Sequence, residues 1–183
     1  LKGYTPDISS LKIGIDCSNG MAVILIKDLL GDLPEYLFDS LDGTFPNHDP
    51  NPLVEENVSD LKHLVLSKKC DIGIIFDGDA DRVMFVDERG RFVPPDLIIA
   101  VIAEYFLKKD KGPVVCDIRT SKSVTEYLRG IGAEPYLWKV GHAYAKPKMK
   151  ELGARVGGEL AGHYYYKDFY YCDSGILTAL IVL

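Results

Sequence analysis

The sequence predicts an α/β protein: two consecutive three-layer α/β domains with mixed, largely parallel sheets. Three observations carry that expectation. Short β-branched and aromatic runs alternate with segments whose apolar residues recur at helical spacing, the pattern of strand–helix–strand units. The alternation occurs twice, in half-chains of about equal length, although no residue-level repeat links them. Between the halves stands Pro94-Pro95, a stiff break that sets domains at 1–93 and 94–183.

In the first half, Lys12 to Cys17 reads as a strand, Ser18-Asn19-Gly20 as a tight turn, and Met21 to Leu30 as a largely buried helix stopped by Gly31. Tyr36 to Phe38 is a further strand. Asp39 to Pro52, rich in Pro, Asn and Asp, is an irregular loop. Val54, Val58, Leu61 and Val65 share one helical face, in a helix ending near Lys69. Ile72 to Phe76 and Val83 to Val86 are buried strands, Glu88-Arg89-Gly90 is a turn and Arg91 to Val93 a short strand.

In the second half, Asp96 can cap a helix running to about Lys109. Val114 to Cys116 is a strand. Ser121 to Arg129 is a helix with a Ser123-x-x-Glu126 capping box, and Glu134 to Trp138 is a strand. Pro147 disfavours a helical Lys146, so His142 and Lys146 are expected on the approach to a helix that ends at Leu152. Arg155 to Gly157 is a strand edge, Gly158 to His163 a loop, Tyr164 to Tyr171 an aromatic segment, and Asp173 the start of a last helix.

Composition narrows the function. The 183 residues are 47% apolar and 26% charged, an ordinary globular balance. A net charge of −6 with scattered Lys and Arg argues against nucleic-acid or anionic-membrane partners, which need a concentrated basic face. Cys17, Cys70, Cys116 and Cys172 are far apart and each adjoins an apolar run, as expected of buried thiols in a reducing, cytoplasmic setting with neither zinc nor disulfide. No apolar run approaches the roughly 18 residues of a membrane helix, and residues 1–4 lack a signal-peptide pattern. The absence of an initial Met and the apolar ending at Ile176 to Leu183 are expected of a piece of a longer chain.

The densest chemistry lies between the buried strands, where Asp77, Asp79 and Asp81 alternate along a short loop and Arg82 follows. Ligands collect at strand ends in α/β sheets, and alternate residues of an extended loop can aim at one point. Packed carboxylates repel, and a hard cation relieves the repulsion; Mg²⁺ takes a few carboxylates plus phosphate oxygens. An acidic surface turn is the plain competitor. An EF-hand fits poorly: Glu88 holds its twelfth position, but Arg82 stands at the turn glycine and strands flank the loop. A haloacid-dehalogenase-like phosphatase would make Asp77 a nucleophile, with Asp81 in place of the usual Thr or Val.

Elsewhere the signals are weaker singly. His142 and His163 each follow a Gly, and Glu159 lies in a loop bracketed by Gly158 and Gly162, which lets the backbone approach a ligand while the carboxylate accepts from hydroxyls. Each alone reads more readily as a surface residue, and His48 and His63 read so entirely. Asp117-Ile-Arg-Thr-Ser121, between a strand and a helix, could hold an anion through Arg119 and the helix N-terminus, or simply form a cap. The six tyrosines at Tyr144 and within Tyr164 to Tyr171 read as packing and rim residues, since a base-stacking platform needs a basic groove.

Taken in order, Asp42-Gly-Thr-Phe-Pro-Asn-His-Asp-Pro-Asn-Pro52, Asp77-Gly-Asp-Ala-Asp-Arg82, Val140-Gly-His-Ala-Tyr-Ala-Lys146 and Gly158-Glu-Leu-Ala-Gly-His163 resemble the motifs of the α-D-phosphohexomutases, the phosphomannomutase/phosphoglucomutase branch in particular. The resemblance covers the second and third of that family's four domains. It implies Asp77, Asp79 and Asp81 as Mg²⁺ ligands and Arg82 as a contact near the transferring phosphoryl group. It implies Glu159 as a grip on sugar hydroxyls, His142 and His163 as proton shuttles, and Arg119 and Lys146 as substrate contacts. The implied ligands are mannose or glucose 1- and 6-phosphates and the 1,6-bisphosphate. The phosphoserine loop and the substrate-phosphate loop belong to the first and fourth domains, so the 183 residues alone are expected to bind without turnover and to hold the metal weakly. The family's sugar loop usually reads G-E-x-S-G-H; Ala161 removes a hydroxyl whose hydrogen bond is worth on the order of 1 kcal/mol. Leu160 favours the mannose/glucose branch over phosphoglucosamine mutases, which remain the alternative.

Overall fold

A computed structural model describes residues 1–108 and 111–183, which divide into two compact units: Leu1–Val93 with Gly175–Ile181 and Leu183, and Pro94–Ser174 with Val182. The first unit holds β1 (Ile13–Asp16), α1 (Ile26–Leu30), β2 (Glu35–Leu37), α2 (Ser59–Lys68), β3 (Ile72–Phe76), β4 (Val83–Asp87) and β5 (Phe92–Val93). The second holds α3 (Pro95–Leu107), β6 (Pro113–Asp117), α4 (Lys122–Gly130), β7 (Glu134–Trp138), α5 (His142–Leu152), β8 (Val156–Gly158), β9 (Tyr164–Tyr166) and β10 (Cys172–Asp173). The final helix α6 (Gly175–Val182) falls largely in the first unit.

Each unit has one five-stranded mixed sheet, and the two share a topology. The first runs β2-β1-β3-β4-β5 and the second β7-β6-β8-β9-β10. In both, the first three strands pair in parallel and the last two add antiparallel. The parallel half follows from helices between strands, the antiparallel half from hairpins. Hence the repeat hidden at residue level is visible in strand order, and the β3–β4 and β8–β9 hairpin loops occupy the same position in their sheets.

Alternation along the strands separates the two faces of each sheet. In the first unit Ile75, Met84 and Val86 form a core with Val58, Leu61 and Val65. Gly14 and Gly73 lie under α2 because a Cβ there would meet Leu64 at 3.0 Å and Val65 at 2.7 Å respectively. In the second, Tyr165 packs with Val115 and with Ala145 and Met149 of α5. Its neighbours Tyr164 and Tyr166 face α3, through the Tyr164 hydroxyl donating to Pro95 O at 3.0 Å and the Phe106–Tyr166 ring contact. These three tyrosines are therefore core rather than rim; Tyr144 and Tyr170 are exposed. No helix among the described residues is long and apolar enough to cross a membrane.

Local departures from expectation have physical causes. Met21 to Leu30 is a 3-10 turn (Met21–Ile24) followed by the short α1, because Met21 N–H donates to Gly78 O and the turn closes on i→i+3 bonds; Met21, Ile24 and Leu25 are exposed. Val54 is likewise exposed, ahead of a 3-10 turn over Glu55–Val58. Asp96 does not cap α3: Pro94 holds the cap position, and Asp96 is buried, accepting Ser121 N–H at 3.0 Å. Ser121, not Ser123, caps α4, its hydroxyl accepting Val124 N–H. Pro147 lies inside α5, which starts at His142; an interior Pro costs roughly 3 kcal/mol, offset by burial of Ala145 and Met149. Asp173 ends β10, and the last helix begins at Gly175. The expected end of α3 at Lys109 lies outside the described residues. Cys17, Cys70 and Cys116 are buried, and burial pushes Cys17 and Cys116 up to about 12; Cys172 is only partly buried.

Candidate functional site

In the first unit the β3–β4 loop is shaped by one ion pair. Asp77, 2% exposed, accepts Arg82 N–H at 3.0 Å through Oδ1 and Arg82 Nε–H at 2.6 Å through Oδ2. The same arginine lies 3.9 Å from Asp81 Oδ1, and Ala80 takes a left-handed φ of 62° that turns the chain. This fold brings one oxygen each of Asp77, Asp79 and Asp81 within 4.8 Å of one another. Burial pushes the Asp77 carboxyl above its usual range; the Arg82 hydrogen bonds oppose this, and the nearby Asp81 charge reinforces it. A set of clustered carboxylate oxygens, one buried and resisting ionisation, fits a hard divalent cation such as Mg²⁺.

Neighbouring segments fix this loop. Ser18 Oγ donates to Phe76 O at 2.6 Å. A Cβ on Gly20 would stand 2.6 Å from Gly78 O, so only glycine permits that approach. Phe45 and Pro50 pack on Gly78, and Arg82 NH1 donates to Asn51 Oδ1 at 3.4 Å. The Ala80 carbonyl accepts the N–H of Gly175 at the head of α6. His48, read from sequence as a surface residue, has a side chain only 8% exposed, with Nε2 3.2 Å from Asp16 Oδ2. Burial raises the Asp16 carboxyl despite that contact, and the hydrogen bond to Asp16 raises His48. Asp16, His48 and Asn51 are the supporting residues that sequence reasoning missed; the Asp42 to Pro52 motif was the available signal.

In the second unit, Arg119, His142, Glu159 and His163 gather at the end of the parallel strands. Glu159, 3% exposed, accepts the Tyr165 hydroxyl at 2.6 Å and Gly141 N–H at 3.2 Å through Oε1, tying the β8–β9 loop to the start of α5. Gly141 has φ 114°, which only glycine adopts without strain, and it sets His142 as the first residue of α5. The His142 and His163 rings lie 6.4 Å apart, and His163 stacks on Tyr165. His163 Nδ1 is 2.7 Å from Asp173 Oδ2. Burial works to raise Asp173, but the His163 hydrogen bond and charge prevail and lower it. Arg119 joins the loop through Asp117, whose Oδ2 accepts from the guanidinium and from Leu160 N–H. Lys146 sits a turn further along α5, its Nζ 3.0 Å from Cys172 Sγ. Sequence reasoning missed Asp117, Tyr165 and Asp173, which touch the motif residues without belonging to a motif.

Comparison with known proteins gives concordant results. The profile for phosphoglucomutase/phosphomannomutase α/β/α domain II matches residues 5–90, and that for domain III matches residues 94–183. The phosphomannomutase/phosphoglucomutase of Pseudomonas aeruginosa is 35% identical over 178 residues, covering 94% of this chain and 38% of its own length. A phosphomannomutase of Escherichia coli K12 is 36% identical over 193 residues, covering 100% and 42%. A crystal structure of a phosphoglucomutase/phosphomannomutase family protein from Burkholderia thailandensis superposes with a TM-score of 0.88 at 35% identity, covering 94% of this chain and 39% of that one. The chain thus spans about two fifths of the length of the curated relatives it matches.

Proposed function

Since the chain belongs to the phosphoglucomutase/phosphomannomutase family and carries its α/β/α domains II and III, we propose that it supplies the metal loop and the sugar loop of a cytoplasmic hexose phosphate mutase. The whole enzyme interconverts hexose 1-phosphate and hexose 6-phosphate, of mannose or glucose, through a 1,6-bisphosphate that reorients between two transfers. The observation that carries this is the placement of two motif loops at the same position of two repeated sheets, one gathering three carboxylate oxygens, the other Glu159 with Arg119, His142 and His163. Membership of this family removes the ground for reading Asp77 as a phosphatase nucleophile.

Asp77, Asp79 and Asp81 are the residues that would hold Mg²⁺, which when bound offsets negative charge on the transferring phosphoryl group. Arg82, anchored by Asp77 and Asn51, presents its remaining guanidinium N–H groups beside that charge. Glu159 spends Oε1 on Tyr165 and Gly141, so Oε2 is the oxygen assigned to sugar hydroxyls. A ring entering in two orientations can meet it if equivalent hydroxyls are presented. His163, its Nδ1 held at Asp173, is assigned to proton exchange with the substrate, and His142 stands beside it. Arg119 and Lys146 contribute positive charge towards phosphate.

Residues 1–183 contain no counterpart of the family's phosphoserine loop, so alone they bind without turnover. A coupled mutase assay tests the reading: the natural chain carrying these residues, with mannose or glucose 1-phosphate, Mg²⁺ and the matching 1,6-bisphosphate, is expected to form the 6-phosphate, and EDTA to abolish it. No turnover of either sugar would overturn the hexose reading; turnover by residues 1–183 alone would overturn the division of labour.

A further inference from the structure

Asp117 ends β6 at the head of the Asp117 to Ser121 segment, and its carboxylate accepts four hydrogen bonds. Its side chain is 1% exposed. Oδ1 accepts Arg119 N–H at 2.7 Å; Oδ2 accepts Arg119 NH2 at 2.6 Å, Arg119 Nε–H at 3.2 Å and Leu160 N–H at 2.8 Å. Leu160 immediately follows Glu159, and its N–H is reached across 43 residues of chain. One buried oxygen therefore holds an arginine from one loop and the backbone of another.

We propose that Asp117 is a positioning residue for hexose phosphate binding. It locks the Arg119 guanidinium and the Glu159–His163 loop into one rigid unit, so that the phosphate contact and the hydroxyl contact meet the ligand at a fixed separation. The ligand's identity rests on the proposed function; the positioning does not. The Arg119 side chain is 43% exposed and its neighbour Ile118 is 64% exposed, so packing does little to order this segment, and a long flexible arginine would otherwise have to be ordered on each binding event. The carboxylate does that in advance, with two guanidinium hydrogen bonds of the charge-assisted kind. The pairing also sets what Arg119 can offer: with Nε–H and one Nη2 hydrogen turned to Asp117, the end-on pair of N–H groups shared by Nη1 and Nη2 is the face presented to ligand. A lysine ammonium cannot make the two parallel bonds to Asp117 and keep a separate planar face for ligand, so Arg119→Lys is expected to be a poor substitute.

The test is ¹⁵N NMR of residues 1–183 with titration by glucose 1-phosphate and mannose 1-phosphate. In the unchanged protein, the Arg119 Nε–H signal and the Leu160 amide are expected to be ordered and slow to exchange before any ligand is added. Asp117→Asn keeps the shape but removes the charge and one acceptor. It is expected to shift both signals, speed Arg119 Nε–H exchange and weaken hexose phosphate binding about tenfold, with some loss of thermal stability from the weakened hydrogen bonds but a folded protein. A folded Asp117→Asn protein with both signals and the affinity unchanged overturns the proposal. Should that variant not fold, the unchanged protein still decides: an Arg119 Nε–H that averages freely and a Leu160 amide that exchanges at loop rates refute the clamp. Ordered signals with no hexose phosphate binding would sink the proposed function and leave the clamp standing.

Discussion

Replacing Arg82 with alanine removes the Nε–H that Asp77 Oδ2 accepts at 2.6 Å and leaves a carboxylate, 3% exposed at its side chain, with the Arg82 N–H at 3.0 Å. A hydrogen bond to a charged group contributes about 1.5–3 kcal/mol, and breaking a fully buried pair costs about 3–5 kcal/mol. Two features place the loss at the lower end. The Arg82 side chain is 24% exposed, so water can enter the vacated space. Burial already biases Asp77 towards protonation, so the orphaned group can neutralise. The expected destabilisation is about 2 kcal/mol in EDTA, which at a slope near 2 kcal/mol per molar lowers the urea midpoint by about 1 M. Far-UV circular dichroism follows the transition, and amide exchange at Ile74 to Phe76 reports on the first unit alone. Excess Mg²⁺ should restore more stability to Arg82→Ala than to the unchanged chain, because Asp77 then has no guanidinium to give up. An unchanged midpoint with unchanged exchange refutes the pairing argument, and equal gains from Mg²⁺ refute its link to the metal.

Asp79 is exposed on the same loop, so Asp79→Asn should leave unfolding unchanged while weakening Mg²⁺ binding about tenfold or more by calorimetry; an identical isotherm would remove Asp79 from the ligand set. Stability should fall as pH rises from about 6 towards 8. His48 is raised in the fold by its hydrogen bond to Asp16, so that contribution is complete below the ordinary histidine value and lost through the raised one. Asp16, raised by burial, acts with the same sign, but its contribution is complete below the ordinary carboxylate value and lost through the raised one, so its part of the slope begins at lower pH. Urea midpoints across that range should flatten in the Asp16→Asn/His48→Gln double variant, and a persistent slope would contradict the assignment. Ala161→Ser returns a hydroxyl to the sugar loop; one neutral hydrogen bond of about 1 kcal/mol makes glucose 1-phosphate binding about fivefold tighter, and no change would show that position 161 does not meet the sugar.

The fold class was legible because strand and helix periodicities differ. The motif loops were legible for the same reason: Asp77 to Arg82 and Gly158 to His163 sit between buried strands, so their polar residues stand out. Less legible were features set by partners distant in sequence. Asp96 has the composition of an N-cap, but its carboxylate serves Ser121 N–H on another helix. His48 reads as a loop histidine, and only the fold buries it beside Asp16. In sequence Asp117 heads the segment between a strand and a helix and Asp173 reads as a helix start, and their roles exist only through Leu160 and His163. Pro147 marks a helix start in a local reading; burial of Ala145 and Met149 overrides it. The internal repeat escaped the residues because strand order does not depend on identity, only on where apolar runs fall.

The most direct test of the central claim is residue-resolved NMR of residues 1–183, titrated first with Mg²⁺ and then with mannose 1-phosphate. Division of metal and sugar between the two hairpin loops predicts that Mg²⁺ moves the amides of Asp77 to Arg82, and that the hexose phosphate moves those of Glu159 to His163 together with Arg119 and His142. A hexose phosphate that leaves Glu159 to His163 unmoved while the protein remains folded would contradict it.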